Sequence, residues 1–248
     1  MKIITDSSSL LSPAEGEALG VTVTPACAVI DGEVYRDYID IDSEEFLKRI
    51  EAGAVPTSSQ PAIGDVLDVF EGYDEEMLYL SIGDGLSGAL HYLVCKAAKL
   101  RNEGVGIETI KSELQKSIDV SVSFVIPADF DFLKRSGRLT PIAAKIGGMI
   151  KLVPVLTQTA DMKRITPFVI KRSNKKAMEA IIGHLQSMGV DENFVISVCH
   201  GGAERVAESV CEQLKERFPD TEVELFALSP ALITHGGPGS IVVQAIRK

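Results

Sequence analysis

Short apolar runs alternate with amphipathic segments along most of this chain. The apolar runs predict strands at 2–5, 21–30, 77–82, 120–126, 194–198 and 222–228. Helical periodicity lies between them, at 40–52, 89–101, 108–118 and 204–217. A turn at 160–162 between apolar runs at 152–159 and 164–170 predicts a hairpin. This alternation is typical of an α/β protein whose second half has a partly antiparallel sheet.

The composition changes near residues 129–140, and we place a domain boundary there. The prediction is an N-terminal α/β domain at 1–131, with three layers around a parallel sheet. A C-terminal α/β domain, with the partly antiparallel sheet, follows at 132–248.

Charge and composition narrow the classes of partner. The 248 residues carry a net charge of −10, which disfavours binding to nucleic acid or to an anionic membrane surface. Lys151 and Pro154 interrupt the apolar stretch at 146–156, so we expect no membrane insertion. The beginning of the chain has no signal-peptide core, and its four cysteines form no C-x-x-C pair. We therefore expect a cytoplasmic protein, with Cys27, Cys95 and Cys199 as packing residues.

Four loops rich in Ser, Thr and Gly follow predicted strands or open helices, at 5–9, 57–60, 83–88 and 234–240. In open α/β sheets, ligands bind outside the carboxyl ends of the strands. Hydroxyl groups and free backbone N–H groups there suit an anion. The alternative for each loop is that its residues cap helices and form turns.

One loop matches the dinucleotide pattern G-x-G-x-x-G, at Gly83, Gly85 and Gly88. The alternative function is therefore an enzyme that binds a nucleotide or a phosphorylated substrate there. The acidic residue that should end the next strand is missing, since Glu103 lies in a helix-to-loop segment. The chain also lacks the phosphate-loop lysine pattern and the G-x-S-x-G motif of serine hydrolases.

Charged candidates for ligand binding are few. His235 precedes a run of glycines, and Arg138 follows Ser136 and Gly137, where it is either a surface charge or a carboxylate clamp. We expect His91 and His184 to be surface or packing residues. No two histidines have the i, i+4 spacing of a helical zinc site, and we expect no metal.

Five motifs in order resemble the DegV family, the fatty-acid-binding subunits of bacterial fatty acid kinase. They are T-D-S at 5–7, T-S-S-Q-P at 57–61, G-L-S-G at 85–88, F-L-K-R-S-G-R-L at 132–139 and H-G-G-P-G at 235–239. Each motif alone is weakly specific, but together they extend over nearly the whole chain.

The resemblance implies a long-chain fatty acid in a tunnel between two α/β domains. Its carboxylate would be bound by Ser58, Ser87, Arg138 and His235, with Thr57, Ser59, Gly88 and Gly236 as secondary residues. The protein would need no cofactor. It would not catalyse, but would present the carboxylate to a partner kinase that forms the acyl phosphate.

This sequence departs from the family pattern at three places. Ser58 stands where the family has threonine, which keeps a hydroxyl group. Ser136 replaces the first glycine of the arginine motif. The stretch at 87–97 is shorter than the family pattern, as if a helix and a strand were missing there.

Overall fold

The computed structural model describes residues 1–82, 87–145, 152–159, 161 and 163–248, and for Ser87 the backbone alone. The described part of the chain forms two compact units. The first contains Met1–Ile82, Ser87–Asp119 and Leu228–Thr234, and the second contains Val120–Ala227 and His235–Lys248. The domain boundary after residue 131 stays a prediction. In the structure, the chain passes from the first compact unit to the second between Asp119 and Val120.

The strands, in chain order, are β1 (Lys2–Asp6), β2 (Val21–Thr24), β3 (Cys27–Ile30), β4 (Glu33–Arg36), β5 (Thr57–Ser59), β6 (Met77–Leu80), β7 (Val122–Ile126), β8 (Val153–Gln158), β9 (Ile165–Lys171), β10 (Phe194–His200), β11 (Glu222–Ala227) and β12 (Ile241–Arg247). The helices are α1 (Pro13–Ala18), α2 (Ser43–Glu51), α3 (Ile63–Glu71), α4 (Ser87–Asn102), α5 (Ile107–Ile118), α6 (Phe130–Arg135), α7 (Pro141–Ala144), α8 (Asn174–Ser187), α9 (Glu204–Arg217) and α10 (Pro230–Gly236).

The first unit contains a parallel sheet in the order β2-β1-β6. Its central strand buries Ile3 and Ile4 on opposite faces, as a strand covered on both sides must. A second, antiparallel sheet has the order β4-β3-β5. In this sheet Ala28 pairs with Ser58, which fixes the position of the T-S-S-Q-P segment.

The second unit contains one mixed sheet in the order β11-β10-β12-β7-β8-β9. β10 and β11 run parallel, and the other neighbours are antiparallel. Every residue of β10 is buried, which is consistent with its place inside the sheet. Helices α8 and α9 contribute Ile181, Leu185 and Leu214 to the core against this sheet. The α/β class, with one parallel and one partly antiparallel sheet, is thus confirmed.

Two features of the fold differ from the expectation. The apolar run at 21–30 was expected to form one strand, but it forms β2 and β3 in different sheets. Pro25 separates them, and a proline cannot donate a hydrogen bond to a strand ladder. The segment at 234–240 was expected to be a loop, but its first three residues, up to Gly236, are the end of helix α10.

Within the described residues, no helix is both long and apolar enough to cross a membrane. Residues 146–151 of the apolar stretch at 146–156, and residues 83–86 of the glycine loop at 83–88, lie outside the described residues.

Candidate functional site

Arg138 and His235 lie side by side in the second unit, although 97 residues separate them in sequence. The Nη1 atom of Arg138 is 2.9 Å from Nδ1 and 3.1 Å from Nε2 of His235. Both side chains are partly buried. This pair brings together two of the four residues that the family resemblance implied for carboxylate binding.

A turn and a strand fix the position of Arg138. Helix α6 ends at Arg135, and Gly137 has φ +69°, a backbone conformation that favours glycine. The backbone of Arg138 then runs beside β9, where its carbonyl oxygen accepts a hydrogen bond of 2.9 Å from the N–H of Ile165. The turn at Gly137 and this main-chain hydrogen bond to β9 therefore fix the position of the Arg138 backbone.

The glycines of the H-G-G-P-G motif allow the loop after His235 to pack closely. Gly237 has φ +80°, and a Cβ atom there would lie 3.1 Å from the side chain of Phe132. A Cβ atom on Gly239, which has φ +77°, would lie 2.8 Å from that of Ala128. These glycines are therefore required by backbone conformation and packing, and of this motif His235 alone contributes ionisable side-chain chemistry.

His235 is neutral near pH 7. Burial, and then the positive charge of Arg138, lower the pKa of His235 to about 4. An arginine N–H group can only donate, so it donates to whichever of the two ring nitrogens carries the lone pair of the neutral imidazole. The guanidinium group is thus the positive charge of the pair. It has further N–H donors in a planar fork that matches the two oxygens of a carboxylate.

The two serine candidates belong to the first unit. Ser58 lies on β5 and is half-buried, whereas its neighbours Thr57 and Ser59 are exposed. Successive side chains of a strand point to opposite faces, so Thr57 and Ser59 do not share the face of Ser58. Ser87 is the first residue of α4, and Gly88, which follows it, is buried. Gly236 is the last residue of α10.

Hydroxyl groups in two of the four candidate anion loops are used inside the fold. The hydroxyl group of Thr5 donates a 2.7 Å hydrogen bond to the carbonyl oxygen of Leu80. The hydroxyl group of Thr234 donates a hydrogen bond to the carbonyl oxygen of Ala231. Ser240 likewise donates to the carbonyl oxygen of Gly237. For these residues the structural alternative is correct.

The sequence analysis missed Asp37, which is fully buried in the first unit. Its carboxylate accepts a 2.9 Å hydrogen bond from the hydroxyl group of Ser7 and a 3.0 Å bond from the N–H of Ala231. Ser7 in turn accepts a bond from the N–H of Ala26. The serine of T-D-S is thus part of a buried network that holds the beginning of α10, and no motif around Asp37 signals this role.

Burial raises the pKa of Asp37 to about 6, and its hydrogen bonds offset only part of that shift. The neighbouring Asp6 has a raised pKa for the same first reason, its burial. No group of three or more His, Cys, Asp or Glu residues suited to a metal ion occurs in the part of the chain that the structure describes.

The sequence matches the model of the DegV family, whose description is an uncharacterised protein family, over residues 1–91 and 86–248. This chain belongs to the DegV family. The two matched ranges overlap at 86–91, at the beginning of the stretch 87–97 where the sequence is shorter than the family pattern. A DegV domain-containing protein of Listeria innocua, lin2658, is 28% identical over an alignment that covers 96% of this chain and 95% of that protein.

Solved structures of the DegV family match the whole chain. A DegV family protein from Thermus thermophilus, described by its fatty acid binding, superposes with a TM-score of 0.90 at 25% identity. The match covers 100% of this chain and 99% of that one. DegV from Bacillus subtilis, described as a fatty acid binding protein, matches over the same shares with a TM-score of 0.85 at 25% identity.

Proposed function

We propose that this protein binds a long-chain fatty acid and presents its carboxylate to a separate kinase that forms an acyl phosphate. The observation that carries the proposal is the pairing of Arg138 with a neutral His235. The whole chain also matches DegV family structures that are described as fatty acid binding. In this proposal the protein works in the cytoplasm, binds no cofactor and does not catalyse.

Arg138 is proposed to bind the carboxylate through N–H groups of its planar guanidinium fork. A buried carboxylate is costly unless it is hydrogen-bonded, and a charged, planar donor offsets that cost best. His235 would add a ring N–H, with Ser58 and Ser87 contributing hydroxyl groups. The secondary residues would contribute through their backbone; they are Thr57, Ser59, Gly88 and Gly236. The two glycines have no side chain, and the side chains of Thr57 and Ser59 lie on the face of β5 opposite to that of Ser58.

Apolar burial would supply most of the binding free energy. Each buried methylene contributes ~0.8 kcal/mol, so ~15 methylenes contribute ~12 kcal/mol before the cost of association. We propose that the segment at 142–155 supplies part of this apolar lining; its residues 146–151 lie outside the described part of the chain. Ile142 is 70% exposed and is available to line a ligand site, whereas Val155 is fully buried in the core of the second unit.

Protein expressed in bacteria is expected to carry about one long-chain fatty acid per chain, because the buried acyl chain dissociates slowly. Native mass spectrometry before and after lipid extraction measures this. Protein that is isolated lipid-free and also fails to bind added palmitate and oleate would contradict the proposal. A rise in melting temperature with ATP and none with palmitate would instead favour the nucleotide-binding enzyme.

Acyl phosphate formation is expected to need three components: ATP, the partner kinase and this protein loaded with fatty acid. The reason is that the chain offers groups to bind a carboxylate, while the nucleotide must come with the kinase. Hydroxylamine trapping of the acyl phosphate measures the product. Formation of product from ATP by this protein alone would contradict the division of labour, and an R138A variant, whose lipid binding is expected to be weakened, is the matched control.

A further inference from the structure

Helix α4 carries an imidazole and a thiol on one face, in contact with each other. His91 and Cys95 are four residues apart, so their side chains are neighbours on the helix. The Sγ atom of Cys95 lies 3.6 Å from Nε2 of His91, and Nδ1 of His91 lies 3.0 Å from the carbonyl oxygen of Ser9. All three residues belong to the first unit.

The contact with Ser9 determines which ring nitrogen of His91 carries the hydrogen. A carbonyl oxygen only accepts, so Nδ1 must be the donor. In the neutral ring the lone pair is then on Nε2, which accepts the S–H group of Cys95. Burial lowers the pKa of His91, so the ring is neutral near pH 7. A nucleophile, a base and a group that orients the base are thus in successive contact, as they are around activated thiols.

The other three cysteines are in a different environment. Cys27, Cys199 and Cys211 are 2%, 0% and 7% exposed, whereas Cys95 is only half-buried. Burial also raises the pKa of Cys27 and of Cys211, which lowers the fraction of reactive thiolate. Cys95 was expected from the sequence to be a packing residue. It is more exposed than the other three cysteines, and its sulfur contacts His91.

We propose that Cys95 is a modification site that reacts with small neutral electrophiles, hydrogen peroxide among them. The thiol proton moves to Nε2 of His91 as the sulfur attacks one peroxide oxygen. The S–O bond forms, the O–O bond breaks, and the leaving hydroxide takes the proton from His91 to become water. Sulfur is oxidised to the sulfenic acid and the peroxide is reduced. This reaction uses neither Arg138 nor His235, so it does not depend on the proposed function.

The test is peroxide treatment of the native protein with dimedone present, followed by peptide mass spectrometry. Cys95 is expected to be labelled at least ~10-fold faster than each buried cysteine, and C95S is expected to lose this label. The variant H91Q keeps an N–H donor for Ser9 but has no basic nitrogen. It is expected to lower the Cys95 rate at least ~10-fold at an unchanged melting temperature, since a positioned base contributes on this scale or more.

Equal labelling of all four cysteines would overturn the proposal, as would a wild-type rate in a folded H91Q variant. If H91Q does not fold, the pH dependence of Cys95 labelling in the wild type tests whether His91 takes the thiol proton. An isolated thiol reacts ~10-fold faster per pH unit below its pKa of ~8.5. A thiol that transfers its proton to His91 is expected to react at nearly the same rate at pH 7 and pH 8, and a tenfold rise would overturn the assignment.

Discussion

Replacing Arg138 by alanine is expected to weaken palmitate binding by between ~30-fold and several thousand-fold. Removing one partner of a buried, hydrogen-bonded charge pair costs ~2–5 kcal/mol, and each ~1.4 kcal/mol is a factor of ten in affinity. The effect is large because His235, with a pKa lowered to about 4, supplies no positive charge near neutral pH. Isothermal titration with delipidated protein, together with the melting temperature, measures the change.

Matched variants separate the charge of Arg138 from its geometry. R138K keeps the positive charge but loses the planar fork, so it is expected to fall between the wild type and R138A. The serine variants S58A and S87A remove one hydrogen bond to a charged group, worth ~1.5–3 kcal/mol, and are expected to lose ~10- to 150-fold. S58T keeps the hydroxyl group and is expected to leave the affinity for palmitate nearly unchanged. Wild-type affinity in a folded R138A variant would remove Arg138 from the site.

The variant D37N is expected to remove the fall in stability that Asp37 contributes in the wild type as the pH rises from ~4 to ~7. The pKa of Asp37 is raised from 3.8 to about 6 in the folded protein, because its carboxyl group is buried. Between these values the folded state binds more protons than the unfolded state, so the stability falls with rising pH. This shift in pKa corresponds to ~3 kcal/mol of unfolding free energy, nearly all of which is lost once the pH exceeds ~6.

Urea unfolding of both proteins between pH 4 and pH 7.5 measures this effect. The free energy of unfolding of the wild type minus that of D37N is expected to fall by ~2–3 kcal/mol across this interval. His235 acts in the opposite direction, since its folded pKa is lowered to about 4 and its protonation destabilises the fold. That contribution is present in both proteins and cancels in the difference. A difference that does not change with pH would show that the Asp37 carboxyl group titrates normally.

Much of the local structure was predictable because it depends on nearby residues. Helix α2 begins after Asp42, whose side chain accepts from the N–H of Glu45, as its acidic beginning indicates. The hairpin of β8 and β9 follows from two apolar runs around a short turn. The five motifs in order also indicated the DegV family, which the family model and the solved structures confirm.

Proximity between distant residues was not predictable from the chemistry of single loops. Sequence placed Arg138 and His235 after different elements, and their contact depends on the turn at Gly137 and on the end of α10. The hydroxyl groups of Thr5 and Thr234 look the same in sequence as groups that bind an anion. Only the fold shows that backbone carbonyl oxygens already accept their hydrogen bonds.

By itself, then, the sequence determined the α/β class, most of the elements and the family, because hydrophobic periodicity, caps and motifs act over a few residues. The tertiary structure decided that 21–30 divides between two sheets and that a helix carries His235. It also decided that buried Asp37 binds both Ser7 and Ala231, the latter 194 residues away in sequence. Such pairings are set by how sheets and helices pack, and a buried carboxylate is stable only where that packing brings donors to it.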